Sequence, residues 1–135
     1  MVYDAIYERP LGMEVERMKT LNVEVMSSGE AMKRFARAWK NASSGKQTDA
    51  TIGLGSIAEL TALLSPKRME LLRHVAQSPG LSIRGLAQAL GRDYKNVHTD
   101  VSELETRHLL ERDSAGLVTA PYDELVIRAP LRQAA

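Results

Sequence analysis

The stretch that most constrains this chain runs from Ser65 to Arg107. Three short apolar-periodic runs are separated there by residues that start or stop a helix. Ser65-Pro66 opens the first. Serine caps, and proline fits the first helical position, where no N–H is needed. Met69, Leu72 and Ala76, with Leu71 and Val75, give this helix a broad apolar face, and Gln77-Ser78-Pro79-Gly80 stops it. Ser82 caps the second run, Ile83 to Leu90, with Leu86, Ala87 and Leu90 turned inward and Gly91 as the C-terminal cap. Asp93 caps the third, Tyr94 to about Arg107, in which Val97, Val101 and Leu104 recur at i, i+4 and i+7 as a buried stripe.

The flanks mix strand and helix signals. Leu21, Val23 and Val25 alternate with Asn22, Glu24 and Met26, which predicts a strand. Ser27 stands three residues before Glu30, a capping box, and opens a helix to about Ala42. Its apolar positions are Ala31, Met32, Phe35, Ala38, Trp39 and Ala42, and Ser43-Ser44-Gly45 ends it. Thr51 to Leu54 reads as a second short strand. Ser56 and Glu59 form another capping box, for a helix ending at Leu64. Leu81-Ser82-Ile83 can pair as a short strand. After the third helix, Leu109 to Arg112 and Leu117 to Ala120 flank the turn Asp113-Ser114-Ala115-Gly116, a hairpin with the Asp-first, Gly-fourth pattern of a type I turn. Leu125 to Ile127 is a candidate last strand. The expected class is α+β, divided into an irregular leader (1–19), a strand-helix-strand-helix element (20–64) and a helix-rich C-terminal domain (65–135). Met18 is an alternative start.

Several functions are excluded at this level. Cysteine is absent, which removes disulfides, thiol catalysis and thiolate metal sites. His74, His98 and His108 lack the spacing of a zinc site. No cofactor and no metal are expected. No apolar run approaches the roughly 20 residues that span a bilayer, and no secretory signal stands at the N-terminus, so a soluble, cytoplasmic protein without membrane contact is the default expectation. Net charge is +1 overall. Residues 66–98, however, hold Lys67, Arg68, Arg73, Arg84, Arg92 and Lys95 against Glu70 and Asp93, a local net of +4. Such a basic stretch is either a solvated mixed surface or one aimed at a polyanion.

The segments SPKRMELL and LAQALGRDYKNVHTDVSELE, and the APYDE after the hairpin, decide which reading to pursue. They resemble the MarR-like winged helix-turn-helix DNA-binding proteins, and within them a branch of transcriptional regulators of which some are described as antitoxins. The similarity covers about residues 20 to 130. It implies that 65–135 is a winged helix-turn-helix domain and that the chain is a regulator rather than an enzyme. Two departures stand out. Gly85 occupies a position where many relatives carry an acid, at about 1 kcal/mol of helix propensity. His108 stands where many carry glycine, and histidine tolerates a left-handed backbone better than most residues.

Within that resemblance the helix from Tyr94 is the reading helix. With Val97 and Val101 inside, Lys95, Asn96, Thr99 and Ser102 project outward, with His98 at the flank. Lysine suits guanine O6 and N7, and asparagine suits adenine N6 and N7. Arg84 and Arg92 are expected on phosphates. Lys67 and Arg68 either meet phosphate at a helix N-terminus or pair with Glu70 or Glu103. Arg112 is the candidate contact on the wing, which is weakly basic. Tyr94 either lies on the sugar-phosphate backbone or packs under the turn. Asp100, Glu103 and Glu105 raise an acid–base pairing, but no histidine, glycine-rich loop or metal spacing converges on them, so they read as a solvated helix face. Lys33, Arg34, Arg37 and Lys40 either widen the DNA footprint or, as the more expected reading, form a solvated face opposite Phe35 and Trp39.

The first functional expectation is a homodimeric repressor on an inverted-repeat operator in double-stranded DNA. Its dimer surface would be the edges of the Leu21, Val23, Val25 strand and the Met32, Phe35, Trp39 stripe; the alternative for Trp39 is packing on the winged domain. The second is an antitoxin that binds a cognate toxin protein and autoregulates its own promoter. The third is a winged helix used only for protein contact.

Overall fold

The structure, a computed structural model, describes residues 19–43 and 50–132. The sequence-predicted leader, apart from Lys19, lies outside the described residues. Mixed α+β architecture is observed. The elements are β1 (Thr20–Val25), α1 (Ser28–Ser43), β2 (Ala50–Leu54), α2 (Ile57–Leu63), α3 (Pro66–Gln77), α4 (Ile83–Leu90), α5 (Tyr94–Thr106), β3 (Glu111–Arg112), β4 (Val118–Thr119) and β5 (Glu124–Arg128).

The capping chemistry read from the sequence sets the helix starts. Ser27, Ser56, Ser65 and Ser82 each accept a backbone N–H three residues on through Oγ, from Glu30, Glu59, Arg68 and Gly85. Asp93 does the same for Asn96 through Oδ2 at 3.3 Å. Gly91 takes φ 64°, a left-handed cap that turns α4 toward α5. His108 also stands at φ 64°. Its N–H reaches Glu105 O at 3.0 Å, so the histidine serves where glycine would ease the backbone. A Cβ on Gly85 would sit 3.3 Å from Ser82 Oγ, so the missing side chain leaves the Ser82 cap uncrowded.

One core joins these elements. Val97, Val101 and Leu104 are fully buried from α5, with Leu71 and Val75 from α3 and Leu86 from α4. The hairpin closes over them through Leu109, Leu110 and Val118. Its turn is held by Asp113, whose carbonyl accepts from Gly116 N and whose Oδ1 accepts from Ala115 N and Leu117 N, each at 2.9 Å. Leu81 bridges to Val118 antiparallel, which adds a single strand-like residue beside β4.

The larger sheet departs from the sequence expectation. Its order is β2-β1-β5, and both pairings are parallel. The last strand therefore leaves the hairpin and returns to β1, across the 64/65 division drawn from the sequence. Lys19 anchors the return: its carbonyl accepts from Asp123 N at 2.8 Å, and its own N–H donates to the Asp123 carboxylate at 2.9 Å. Lys19, directly before β1, is thereby tied to the start of β5.

This topology corrects the expected dimer surface. β1 is a central strand, so it offers no free edge. Leu21 and Val23 are 1% and 0% exposed and sit in the same core as Leu54, Leu60 and Leu71. Val25 is half-buried against that core. Alternation sends Glu24 to the opposite face, where Arg34 of α1 meets its Oε2 at 2.8 Å. The apolar stripe of α1 remains outside: Met32, Phe35 and Trp39 are 68%, 67% and 70% exposed.

Because Leu21 is shared between the sheet and the helical core, Leu21→Ala should cost about 2–5 kcal/mol. Urea denaturation should still show one transition, followed alike by far-ultraviolet circular dichroism and by an amide probe in α5. Two separated transitions, or a loss below about 1 kcal/mol, would show that the sheet is not part of a common core.

Candidate nucleic-acid interface

The buried stripe of α5 fixes what its other side presents. Lys95, Asn96, His98 and Thr99 are exposed, and Ser102 is half-buried. Thr99 Oγ1 donates to Lys95 O at 3.1 Å, which leaves its methyl and the oxygen lone pairs available. Arg84 of α4 lies over the Tyr94 ring, 5.4 Å from guanidinium carbon to centroid. Tyr94 and His98 rings are 6.0 Å apart and tilted by 49°. Tyr94 is 46% exposed, so it supports Arg84 at the surface and is not tucked under the turn. The stack immobilises a cation beside the start of α5, a cation–π contact of about 0.5–1 kcal/mol at an exposed site.

Two expected phosphate contacts are otherwise engaged. Arg68 Nε donates to Asp100 Oδ1 at 3.0 Å, and its Nη1 donates to Ala62 O at 3.1 Å. Arg92 Nη2 donates to Asp100 Oδ2 at 2.7 Å. The three side chains are only 14–17% exposed. Asp100 thus bridges α3, the α4–α5 turn and α5. Neither Glu70 nor Glu103 is the partner of Arg68, and Asp100 is not a solvated acid. The signal was present in part: Asp100 directly precedes Val101 and follows Val97 by three, which sets it at the margin of the buried stripe. Nothing in the sequence identified which arginines would meet it, because Arg68 comes from 32 residues away.

Arg112 is also engaged. Its Nε and Nη2 donate to the two carboxylate oxygens of Glu105, each at 2.9 Å. This fork holds the Glu105 pKa below the usual carboxylate value and raises that of Arg112. The pair therefore pins the hairpin to α5 at neutral pH. Its contribution is lost as pH falls through the lowered pKa of the folded Glu105. Lys67 is exposed at the start of α3 and forms no ion pair among the described residues. Of the cations expected at the interface, Lys67, Arg84 and Lys95 form no ion pair among the described residues. Among the described residues no group of three or more His, Cys, Asp or Glu could hold a metal ion.

Residues 63–127 match the model of a family described as HVO_A0114. The match runs from the last residue of α2 almost to the end of β5. It takes in α3, α4, α5 and the hairpin, so all the candidate contact residues lie in the segment similar to that family. No curated protein matches this chain. No helix among the described residues is long and apolar enough to cross a membrane.

Removing the negative charge in Asp100→Asn leaves Arg68 and Arg92 facing one another without a counter-ion. The expected cost is about 3 kcal/mol, the lower end for breaking a buried pair, since all three groups keep some solvent contact. The exposed Glu103→Gln should change stability by less than about 0.5 kcal/mol. Equal midpoints for the two variants in urea would contradict the bridging role of Asp100.

Proposed function

We propose that the protein is a sequence-specific DNA-binding regulator of transcription whose C-terminal half is a winged helix-turn-helix. The reading is carried by the outer face of α5. That face sets Lys95, Asn96 and Thr99 in a row of base-compatible chemistry, opposite three fully buried residues. A helix of 13 residues is about 20 Å long and fits the major groove of B-DNA. α4 and the tight turn at Gly91 stand where the first helix of a helix-turn-helix crosses the backbone, and β3–β4 take the place of the wing. Arg84, held on Tyr94, flanks the groove for a phosphate.

In this reading the protein acts by occupancy. Two copies related by a two-fold axis place two α5 helices in successive major grooves, about 34 Å apart, on an inverted repeat. The second copy would cover the α1 stripe, where Met32 and Phe35 are each about two-thirds exposed. The wing adds little charge, because Arg112 is already neutralised by Glu105.

Selection from a random duplex pool should return an inverted repeat, which then serves as the specific site. Asn96→Ala and Thr99→Ala should each weaken that site by about 1–3 kcal/mol, with scrambled duplex nearly unaffected and the salt slope unchanged. Arg84→Ala should weaken both duplexes alike and flatten the slope by about one unit. Equal losses on both duplexes for Asn96→Ala and Thr99→Ala would show that α5 does not read bases.

A further inference from the structure

The parallel sheet ends on two edges, β2 and β5, with β1 between them. Among the described residues neither edge has a further strand beside it. An open edge presents unpaired N–H and C=O groups, and folded chains blunt it with proline, a bulge or charges along its length. β5 carries none of these in its middle. Leu125, Val126 and Ile127 are consecutive, and charge stands only at the ends, as Glu124 and Arg128. Ile127 is 47% exposed, although Val23, its partner across the pairing with β1, is fully buried.

We propose that β5 pairs antiparallel with β5 of a second copy of this chain, about a two-fold axis at Val126, so that the two sheets join into one. The strand is complementary to itself in that register. Glu124 stands opposite Arg128 of the second copy, Leu125 opposite Ile127, and Val126 opposite Val126, and the two-fold repeats both outer pairs. A register one residue away turns one sheet over and sets Glu124 against Ile127. A register two residues away sets a charged end against Val126. The other edge is poorer: the same pairing of β2 about Ile52 carries no charge and sets Thr51 against Gly53, which has no side chain to pack.

The seam extends both faces of the sheet. On the core face the row Val23–Ile127 continues into Leu125 and Leu21 of the second copy, which covers the exposed Ile127. On the other face the row Glu24–Arg128 continues into Glu124 of the second copy, so opposite charges alternate across the strands. The Arg128 side chain is 66% exposed, with Nε 3.9 Å from Glu24 Oε1, and has room for a second carboxylate. Glu124 already has an interaction within its own chain. A carboxylate accepts several hydrogen bonds, so the seam asks only that it be shared. Arg34 reaches Glu24 from α1, which places α1 on this face. An axis perpendicular to the sheet sets the two α1 helices on the same face of the joined sheet. The inference thus rests on the two-copy part of the proposed function and names its seam, and it needs no DNA.

The charged ends allow a reciprocal test. The full chain is sedimented without DNA over a range of micromolar concentrations. A five-residue strand pair is a small contact, so a reversible, concentration-dependent dimer is expected. In a sample of labelled and unlabelled chains, interchain NOEs should join the Leu125 and Ile127 methyl groups. Glu124→Arg and Arg128→Glu each set like charges against one another at both ends of the seam, and each should raise the dimer dissociation constant about tenfold or more. Mixed in equal amounts, the two variants restore opposite charges at both ends, and the dimer should return as a heterodimer, which an unfolded chain does not allow. A chain that stays monomeric at every concentration, a parent dimer without those NOEs, dimers that persist in both variants, or a mixture no tighter than its parts would overturn the proposal. With no DNA present, each outcome is independent of base reading by α5.

Discussion

A single carboxylate, Asp100, determines how α5 sits. It takes one hydrogen bond from Arg68 of α3 and one from Arg92 in the α4–α5 turn, at 3.0 and 2.7 Å. Apolar packing through Val97, Val101 and Leu104 decides which face of α5 is buried, but it is non-directional and tolerates sliding. Ion pairs with fixed geometry do not. Two guanidinium groups on one carboxylate leave one net positive charge held against α5, and the Arg92 Nη1 atom lacks a hydrogen-bond partner among the described residues. Such a triad is weak evidence for extra stability, since desolvation offsets much of the attraction. Its effect here is to set the angle and register of one helix against two neighbours.

The second constraint is the return of β5 to β1. It ties the chain's last described strand to its first through five registered pairs, from Thr20↔Glu124 to Glu24↔Arg128. The hairpin β3–β4 is thereby held at both ends, by α5 before it and by the sheet after it. The Glu105–Arg112 fork adds a third tie. The same closure brings Arg128 Nε within 3.9 Å of Glu24 Oε1 and leaves a recess of ≈ 780 Å³ beyond the carboxyl ends of β1 and β5. One topological choice thus both stiffens the hairpin and creates a charged recess.

Local structure was legible in the sequence where the signals were local. Five side-chain caps, the left-handed Gly91 and His108, and the buried stripe of α5 follow from residues within a turn or two of each other. The partner of β5 was not legible, because Leu125, Val126 and Ile127 carry no mark of which strand they join, and parallel pairing has no turn to fix its register. For the same reason Leu21 and Val23 read as an open edge when they are core. Arg92 read as a phosphate contact, and Arg68 as either a phosphate contact or a partner of Glu70 or Glu103, because charge counting does not see pairing with Asp100 across 8 and 32 residues. The outer face of α5 was legible as exposed, since it is the complement of the buried stripe.

That face carries the functional account, and a change of specificity tests it more directly than a loss. Asn96 suits adenine, whereas arginine at the same position suits guanine O6 and N7. Selection from a random duplex pool is run in parallel with the parent chain and with Asn96→Arg. The account predicts two enriched motifs that differ at one base pair in each half-site, with guanine gained by the variant and flanking positions retained. An identical motif for both proteins, or enrichment lost at every position together, would contradict base reading by α5.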